Sequence, residues 1–218
     1  MRMRNKPWAA PELDACPFFV RNPAQQLGNW HGWFTRQQPI HLELGCGKGV
    51  FLAELAPENP QTNYIGIDLK DTVLGPAKRL IEKAYGAKNA DPDNIVLTAY
   101  DIEQIPNILS PRDTVERIYI NFCNPWPRAK HHKRRLTHPR QLEKYRQFLA
   151  KDGEIWFKTD DDELFADTLG YLDECGFAVF AETEDLHAEN CPENAMTEHE
   201  LIFMEKGIKI KALKAKLR

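Results

Sequence analysis

The sequence has no apolar run approaching the ~18 residues of a transmembrane helix, so it reads as a soluble chain with no membrane partner. Arg2, Arg4 and Lys6 make a basic start, but the stretch behind them carries Pro, Glu and Asp and lacks the apolar centre of a signal peptide. Its five cysteines are an odd number with no Cys-x-x-Cys pair, which argues against a disulfide framework and against a structural zinc site. No cysteine has a partner base that would mark a nucleophile. His131 and His132 have no companions at ligand spacing, so no metal is expected. Neither an internal repeat nor a low-complexity segment interrupts the 218 residues. These absences leave a cytoplasmic protein of one ordinary domain, long enough to bury a core without staples.

Net positive charge is also missing. The balance is −3, which by itself disfavours a nucleic-acid partner, yet the charges are segregated. Residues 128–151 carry 9 Lys and Arg against 1 acid, residues 152–205 carry 1 Lys against 17 acids, and residues 206–218 carry 6 Lys and Arg with no acid. A phosphate backbone is read by a local patch rather than by the sum. The 128–140 block, with 6 Lys and Arg and 3 His, reads as such a patch. The basic 208–218 segment reads as a solvated tail.

Residues 1–39 are rich in Pro, Asn, Gln and Trp without periodicity and read as a loosely structured arm. From residue 40 to 207 short apolar runs alternate with helical stripes. Runs at 41–44, 64–67, 95–97, 117–122 and 154–157 predict buried strands. Stripes through Leu74, Ala77 and Ile81, through Leu142 and Tyr145, and through Leu164, Thr168 and Leu172 predict helices. Runs at 177–181 and 201–204 predict two closing strands without a helix between them. The pattern predicts an α/β, doubly wound, mostly parallel seven-stranded sheet with an antiparallel edge.

Glu43-Leu44-Gly45-Cys46-Gly47-Lys48-Gly49 follows the first strand and opens the first helix. Glycines there let a ligand approach the backbone, and the helix start attracts an anionic group. A nicotinamide dinucleotide is the obvious rival ligand. The spacing is Gly-x-Gly-x-Gly, however, and a carboxylate at Glu43 opposes a pyrophosphate while suiting a sulfonium and an ammonium. Asp68, ending the second strand, can accept from both ribose hydroxyls. Asp101, ending the third, can accept from an adenine amino group. The set resembles a class I S-adenosylmethionine-dependent methyltransferase, with S-adenosylhomocysteine as the spent donor.

Asn121-Phe122-Cys123-Asn124-Pro125-Trp126-Pro127 ends the fourth strand and runs into Arg128-Ala129-Lys130-His131-His132-Lys133-Arg134-Arg135-Leu136. Residues 125–136 resemble the signature of the bacterial tRNA (guanine-N7)-methyltransferase family. The start Met1 to Trp8 resembles that family's N-terminal arm. Phe157-Lys158-Thr159-Asp160 and Met196-Thr197-Glu198-His199-Glu200 resemble its two late substrate motifs.

The resemblance implies methyl transfer to N7 of a tRNA guanine, variable-loop guanine 46, by a monomer or homodimer. It implies that Glu43, Asp68, Asp101 and Asn124 line the donor site beside Gly45, Gly47 and Gly49. It also implies that Arg128, Asp160, Thr197, Glu198, His199 and Glu200 contact tRNA, with Lys130, His131, Lys133, Arg134 and Arg135 on its phosphates. Asn124 stands where the family commonly has a catalytic Asp, and Arg128 where it often has Lys. On physical grounds alone a helix cap is the favoured reading of Asp160, and 197–200 can be the start of an edge strand; the resemblance reverses this and implies that Asp160, like Asn124, is catalytic. With Asp160 as a site residue, its carboxylate would accept from N1–H and the amino group of guanine. Three alternatives remain at this level. They are an exocyclic-amino methyltransferase, since Asn124-Pro125-Trp126-Pro127 nearly matches that motif; a non-catalytic tRNA-binding protein; and a nicotinamide-dependent oxidoreductase.

Overall fold

Strands β2 (Ile40–Leu44), β3 (Asn63–Asp68), β4 (Ile95–Ala99), β5 (Val115–Asn121) and β6 (Leu149–Thr159) are mutually parallel in a computed structural model that describes residues 6–189, 191 and 193–218. β3 is buried along nearly its whole length, as expected of a parallel strand covered on both faces. β1 (Phe19–Val20) adds a parallel edge beside β4, while β7 (Phe177–Thr183) and β8 (Lys211–Leu217) are antiparallel. The sheet has eight strands in the order β1-β4-β3-β2-β5-β6-β8-β7. Its order reverses at β2, so the carboxyl ends of β2 and β5 frame a crevice.

Helices α1 (Ala9–Asp14), α3 (Val50–Glu58) and α4 (Asp71–Gly86) share one apolar core with the sheet. α2 (Trp30–Trp33), α5 (Pro139–Tyr145) and α6 (Asp162–Glu174) bound the other, with Trp30, Tyr145, Phe148 and Phe157 fully buried. α4 runs unbroken through Pro76. A proline there cannot donate to the carbonyl four residues back, and the Lys6 ammonium donates to that Thr72 carbonyl instead, at 3.0 Å. Gly75 lets α1 lie close, since a Cβ would stand 2.7 Å from the Ala9 methyl.

Three expectations are corrected. The 6–39 part of the arm is packed: Asp113, fully buried, accepts from the backbone N–H of Gly28 (2.7 Å) and Trp30 (2.9 Å), and the Trp30 indole donates to Ile108 O. Residues 1–5, with Arg2 and Arg4, lie outside the described residues. Residues 201–204 are helical, within α7 (Glu198–Glu205), because Thr197 and Glu200 close a capping box ahead of them. The basic tail is β8, inserted between β6 and β7, so the sheet has eight strands instead of seven. Its Lys209, Lys211, Lys214 and Arg218 pair with Asp185, Asp162, Glu193 and Asp173. The acidic block thus neutralises the tail rather than lying apart from it.

Candidate active site

The glycine loop is folded back over β3. Gly45 (φ +81°) and Gly47 (φ +55°) are left-handed, a conformation that costs a side chain dearly and glycine little. Gly45 and Cys46 donate their backbone N–H to Ile67 O at 2.9 and 3.0 Å. Asp68 secures the loop from below, accepting from Gly47 N (3.0 Å) and Leu69 N (2.7 Å). Burial raises its carboxyl above the usual range, against the pull of those backbone donors. Gly49 (φ +72°) then caps α3.

Glu43 is buried between the sheet and this loop. One carboxylate oxygen accepts from the Asn121 amide at 2.9 Å, and the other has no partner among the described residues. Burial pushes the group up to about 7, while the Asn121 hydrogen bond and the nearby Lys158 charge act in the opposite direction. A buried carboxylate oxygen without a donor costs free energy unless something outside the chain supplies one. A ligand ammonium meets that need, so the residues fit the donor inferred from the sequence.

Two recesses flank the loop. The larger, about 540 Å³, has Asp68, Leu69, Tyr100 and Asp101 on one side and Phe122, Asn124, Trp126 and Arg134 on the other. The smaller, about 90 Å³, lies among Glu43, Gly47, Phe122, Thr197, Glu198 and His199. Asp101 faces the larger recess while also accepting from Glu103 N at 2.9 Å. The end of β5 separates the recesses. There Phe122 (φ 51°) and Trp126 (φ 46°) are left-handed without being glycine, a strain that surrounding structure must hold in place and that clusters at functional sites. The Phe122 ring stacks on His199 with centroids 5.5 Å apart. Between the two strained residues, Asn124 is exposed, and its amide oxygen accepts from Trp126 N at 3.0 Å.

The basic block divides. Arg128, Lys130, Lys133 and Arg134 are exposed, and His131 is half-buried against Trp126. The Arg134 guanidinium stands 5.1 Å from the Trp126 ring centroid. Arg135, expected on tRNA phosphates, is instead fully buried. It donates to Pro125 O (2.6 Å), to Glu163 (2.9 Å) and to Asp167, and lies against His132. Its fork matches carboxylates in geometry as well as charge. It also fills the only His and carboxylate cluster of metal-like spacing among the described residues, His132, Glu163 and Asp167.

The late motifs divide in the same way. The cap of α6 is Asp161, which accepts from Leu164 N at 2.7 Å; Asp160 is left half-exposed at the end of β6. Thr197 and Glu200 are buried and occupied within the chain, so direct contact with tRNA is corrected to a supporting role. Glu198 pairs with Lys48 of the glycine loop, and His199 is exposed at the recess. Sequence reasoning missed Asn121, Phe122 and Lys158. Of these, only Lys158, the lone cation of the acidic 152–205 block, carried a visible signal. The cysteines are free thiols, and burial pushes Cys46 well above the usual range and Cys123 up to about 12, which suits small apolar fillers.

The chain matches a family described as "Putative methyltransferase" over residues 37–213. The tRNA (guanine-N(7)-)-methyltransferase of Clostridium beijerinckii is 60% identical over 98% of this chain and 97% of its own length. That of Clostridium acetobutylicum is 44% identical over 100% of both. Among solved structures, the 16S rRNA methyltransferase KamB aligns with a TM-score of 0.60 at 14% identity, covering 83% of this chain and 88% of its own. An antibiotic-related methyltransferase aligns at 0.58 and 19%, covering 84% and 88%. At such identities the structures speak for the fold alone, a Rossmann-like class I methyltransferase fold. These relatives match over nearly the whole length of both chains, and the chain belongs to the tRNA (guanine-N(7)-)-methyltransferase family.

Proposed function

We propose that the protein transfers a methyl group from S-adenosylmethionine to N7 of a guanine in tRNA, variable-loop guanine 46, in the cytoplasm. The observation that carries this reading is the unpartnered, buried Glu43 oxygen beside a glycine loop, in a chain whose full-length relatives are named for that activity. The donor supplies an electrophilic methyl on a sulfonium. Glu43 accepts from its ammonium, the Gly45–Gly49 backbone lies along its amino-acid end, Asp68 holds the ribose hydroxyls, and Asp101 faces the adenine.

Guanine N7 bears a lone pair and no proton, so the chain needs no general base. Its work is alignment at near-attack distance and stabilisation of charge moving onto the purine. Asn124, at the mouth between the recesses, orients the base or the donor. Asp160, released from capping by Asp161, accepts from guanine N1–H and the amino group, a pairing adenine lacks. Arg128, Lys130, His131, Lys133 and Arg134 meet phosphates, and Glu198 and His199 close the recess.

The test is transfer of labelled methyl to unmodified tRNA, followed by chemical cleavage at 7-methylguanosine. Strand scission at one variable-loop position is expected; label recovered in N2-methylguanosine overturns the assignment. Glutamine at Lys130, Lys133 and Arg134 together should reduce the slope of log K against log salt by about 2, since each phosphate left unneutralised takes ~0.7–0.9 from it. Titrations of tRNA between low and moderate salt check this, and donor affinity should stay fixed.

A further inference from the structure

Lys158 stands opposite Asn121 in the parallel register of β5 and β6, and Asn121 is the residue that holds Glu43. Registered neighbours on adjacent strands are about 4.8 Å apart with side chains on one face. Glu43 is registered with Tyr119, two residues before Asn121 on the same face of β5, so the Asn121 amide reaches diagonally to Glu43 and links it to the strand position beside Lys158. The Lys158 ammonium is buried and has three protons to place. It donates to Glu200 Oε2 (2.7 Å), Asn194 Oδ1 (2.8 Å) and Ala195 O (2.9 Å). All three acceptors belong to the segment that carries Glu198 and His199 to the recess. Glu200 in turn accepts from Thr197 N (3.0 Å) and the Asn194 amide (2.9 Å), so segment and cation form one hydrogen-bonded unit.

We propose that Lys158 is a positioning residue of the donor pocket: it docks residues 194–200 as a wall of that pocket and supplies the buried positive charge that faces the Glu43 carboxylate. The inference rests on the reading of Glu43 as a donor-binding group. Glu43 is also faced by Asp68 of β3, Tyr119 of β5 and the Cys46 thiol of the loop, with Glu198 and His199 of α7 at the same recess. Lys158 is the buried lysine near Glu43; Lys48, at the same recess, is exposed and paired with Glu198. Burial lowers its own proton affinity, while Glu200 first, then Glu43 and Glu54 of α3, hold it up. With Glu43 titrating at about 7, removal of that cation moves the carboxylate further toward its neutral form. Donor affinity should then depend on pH in a window set by Lys158. Because an ionised Glu43 binds the donor ammonium, affinity rises as pH passes through its titration.

The test is calorimetric titration of S-adenosylmethionine into the full chain between pH 6 and 8.5, for wild type, Lys158→Met and Lys158→Arg. The donor's own amino group titrates identically in every arm. In Lys158→Met the midpoint of the affinity profile should move up by about one unit, seen as a roughly fivefold weaker Kd near pH 7 that approaches tenfold near pH 6. Lys158→Arg, which keeps the charge, should stay close to wild type. Since Lys158→Met leaves Glu200 buried without its partner, Lys158→Gln/Glu200→Gln provides a second arm that removes both charges together. It should shift the midpoint in the same direction. In a Glu43→Gln background the Lys158 substitutions should leave the profile unmoved. Equal weakening at every pH, or unchanged midpoints in both charge-removing variants, overturns the inference. Wild type that fails to bind the donor at any pH overturns the donor reading of Glu43 itself, a separate and distinguishable failure.

Discussion

Arg135→Ala should lower stability by about 2–4 kcal/mol, from the missing volume of a fully buried side chain and its charge-assisted hydrogen bonds. The loss stays below the extreme for buried ion pairs because Glu163 and Asp167 are themselves partly exposed and rehydrate when freed. The effect on catalysis should be separate from the effect on folding. Arg135 holds the carbonyl of Pro125, the residue directly after Asn124, and so keeps the strained Phe122–Trp126 turn in place. A misplacement of about 1 Å at a reacting centre costs on the order of a hundredfold. At a temperature where the variant is fully folded, kcat should fall by about that factor. Arg135→Lys should recover part of the stability but little of kcat, because one ammonium cannot reach the carbonyl and both carboxylates as a planar fork does. Thermal unfolding and single-turnover methylation read the two effects separately. A variant of wild-type stability whose only defect is a flatter salt slope would make Arg135 a phosphate contact after all.

Asn124→Ala should lower kcat by about ten- to a thousandfold, the range for one preorganised polar group. The variant is deprived of the Asx turn to Trp126 N as well as of any hydrogen bond to the reacting partners, since the same amide oxygen serves both. Asn124→Asp should keep kcat within about tenfold: the volume is nearly unchanged, the turn acceptor remains, and no proton has to be removed from N7. At saturating donor, kcat for both proteins should be flat across neutral pH. Any inflection near 7 should appear in kcat/KM for the donor, where Glu43 titrates. Robust 7-methylguanosine formation by Asn124→Asp alongside none by wild type would show that the amide silences the reaction.

The parallel strands and the glycine loop were legible in the sequence because each rests on local pattern: short apolar runs, and glycines between a strand and a helix. The C-terminal strand was hidden by its charge. Leu213, Ala215 and Leu217 alternate with Lys214 and Lys216, a strand signature, yet the density of lysine suggested solvent. What makes those lysines compatible with a sheet is the set of acids on other elements, knowable only from the fold. Leu201 to Met204 failed differently. Four apolar residues in a row do not distinguish helix from strand, and the deciding signal was the Thr197/Glu200 capping pair just before them. At the site, residue types singled out Glu43, Asp68 and Asp101, which the fold gathers around the glycine loop. Sequence could not say which cation of the basic block faces outward, since Arg134 and Arg135 are identical neighbours with opposite fates.

The position of β8 between β6 and β7 also governs how the chain can reach this state. β7 follows α6 directly, yet among the described residues it pairs only with β8, which comes after α7. Until 211–217 arrives, β6 has a bare edge and β7 has no neighbour. Bare edges of this kind invite pairing with other chains. A polypeptide cut short before Lys211 would retain the glycine loop, the strained turn and the basic block, but would expose that edge and leave Asp162 and Glu193 without their lysines. Such a fragment should aggregate rather than act as a weakened enzyme. The β8 pairings join segments distant in sequence, so closure of the sheet is expected late in folding.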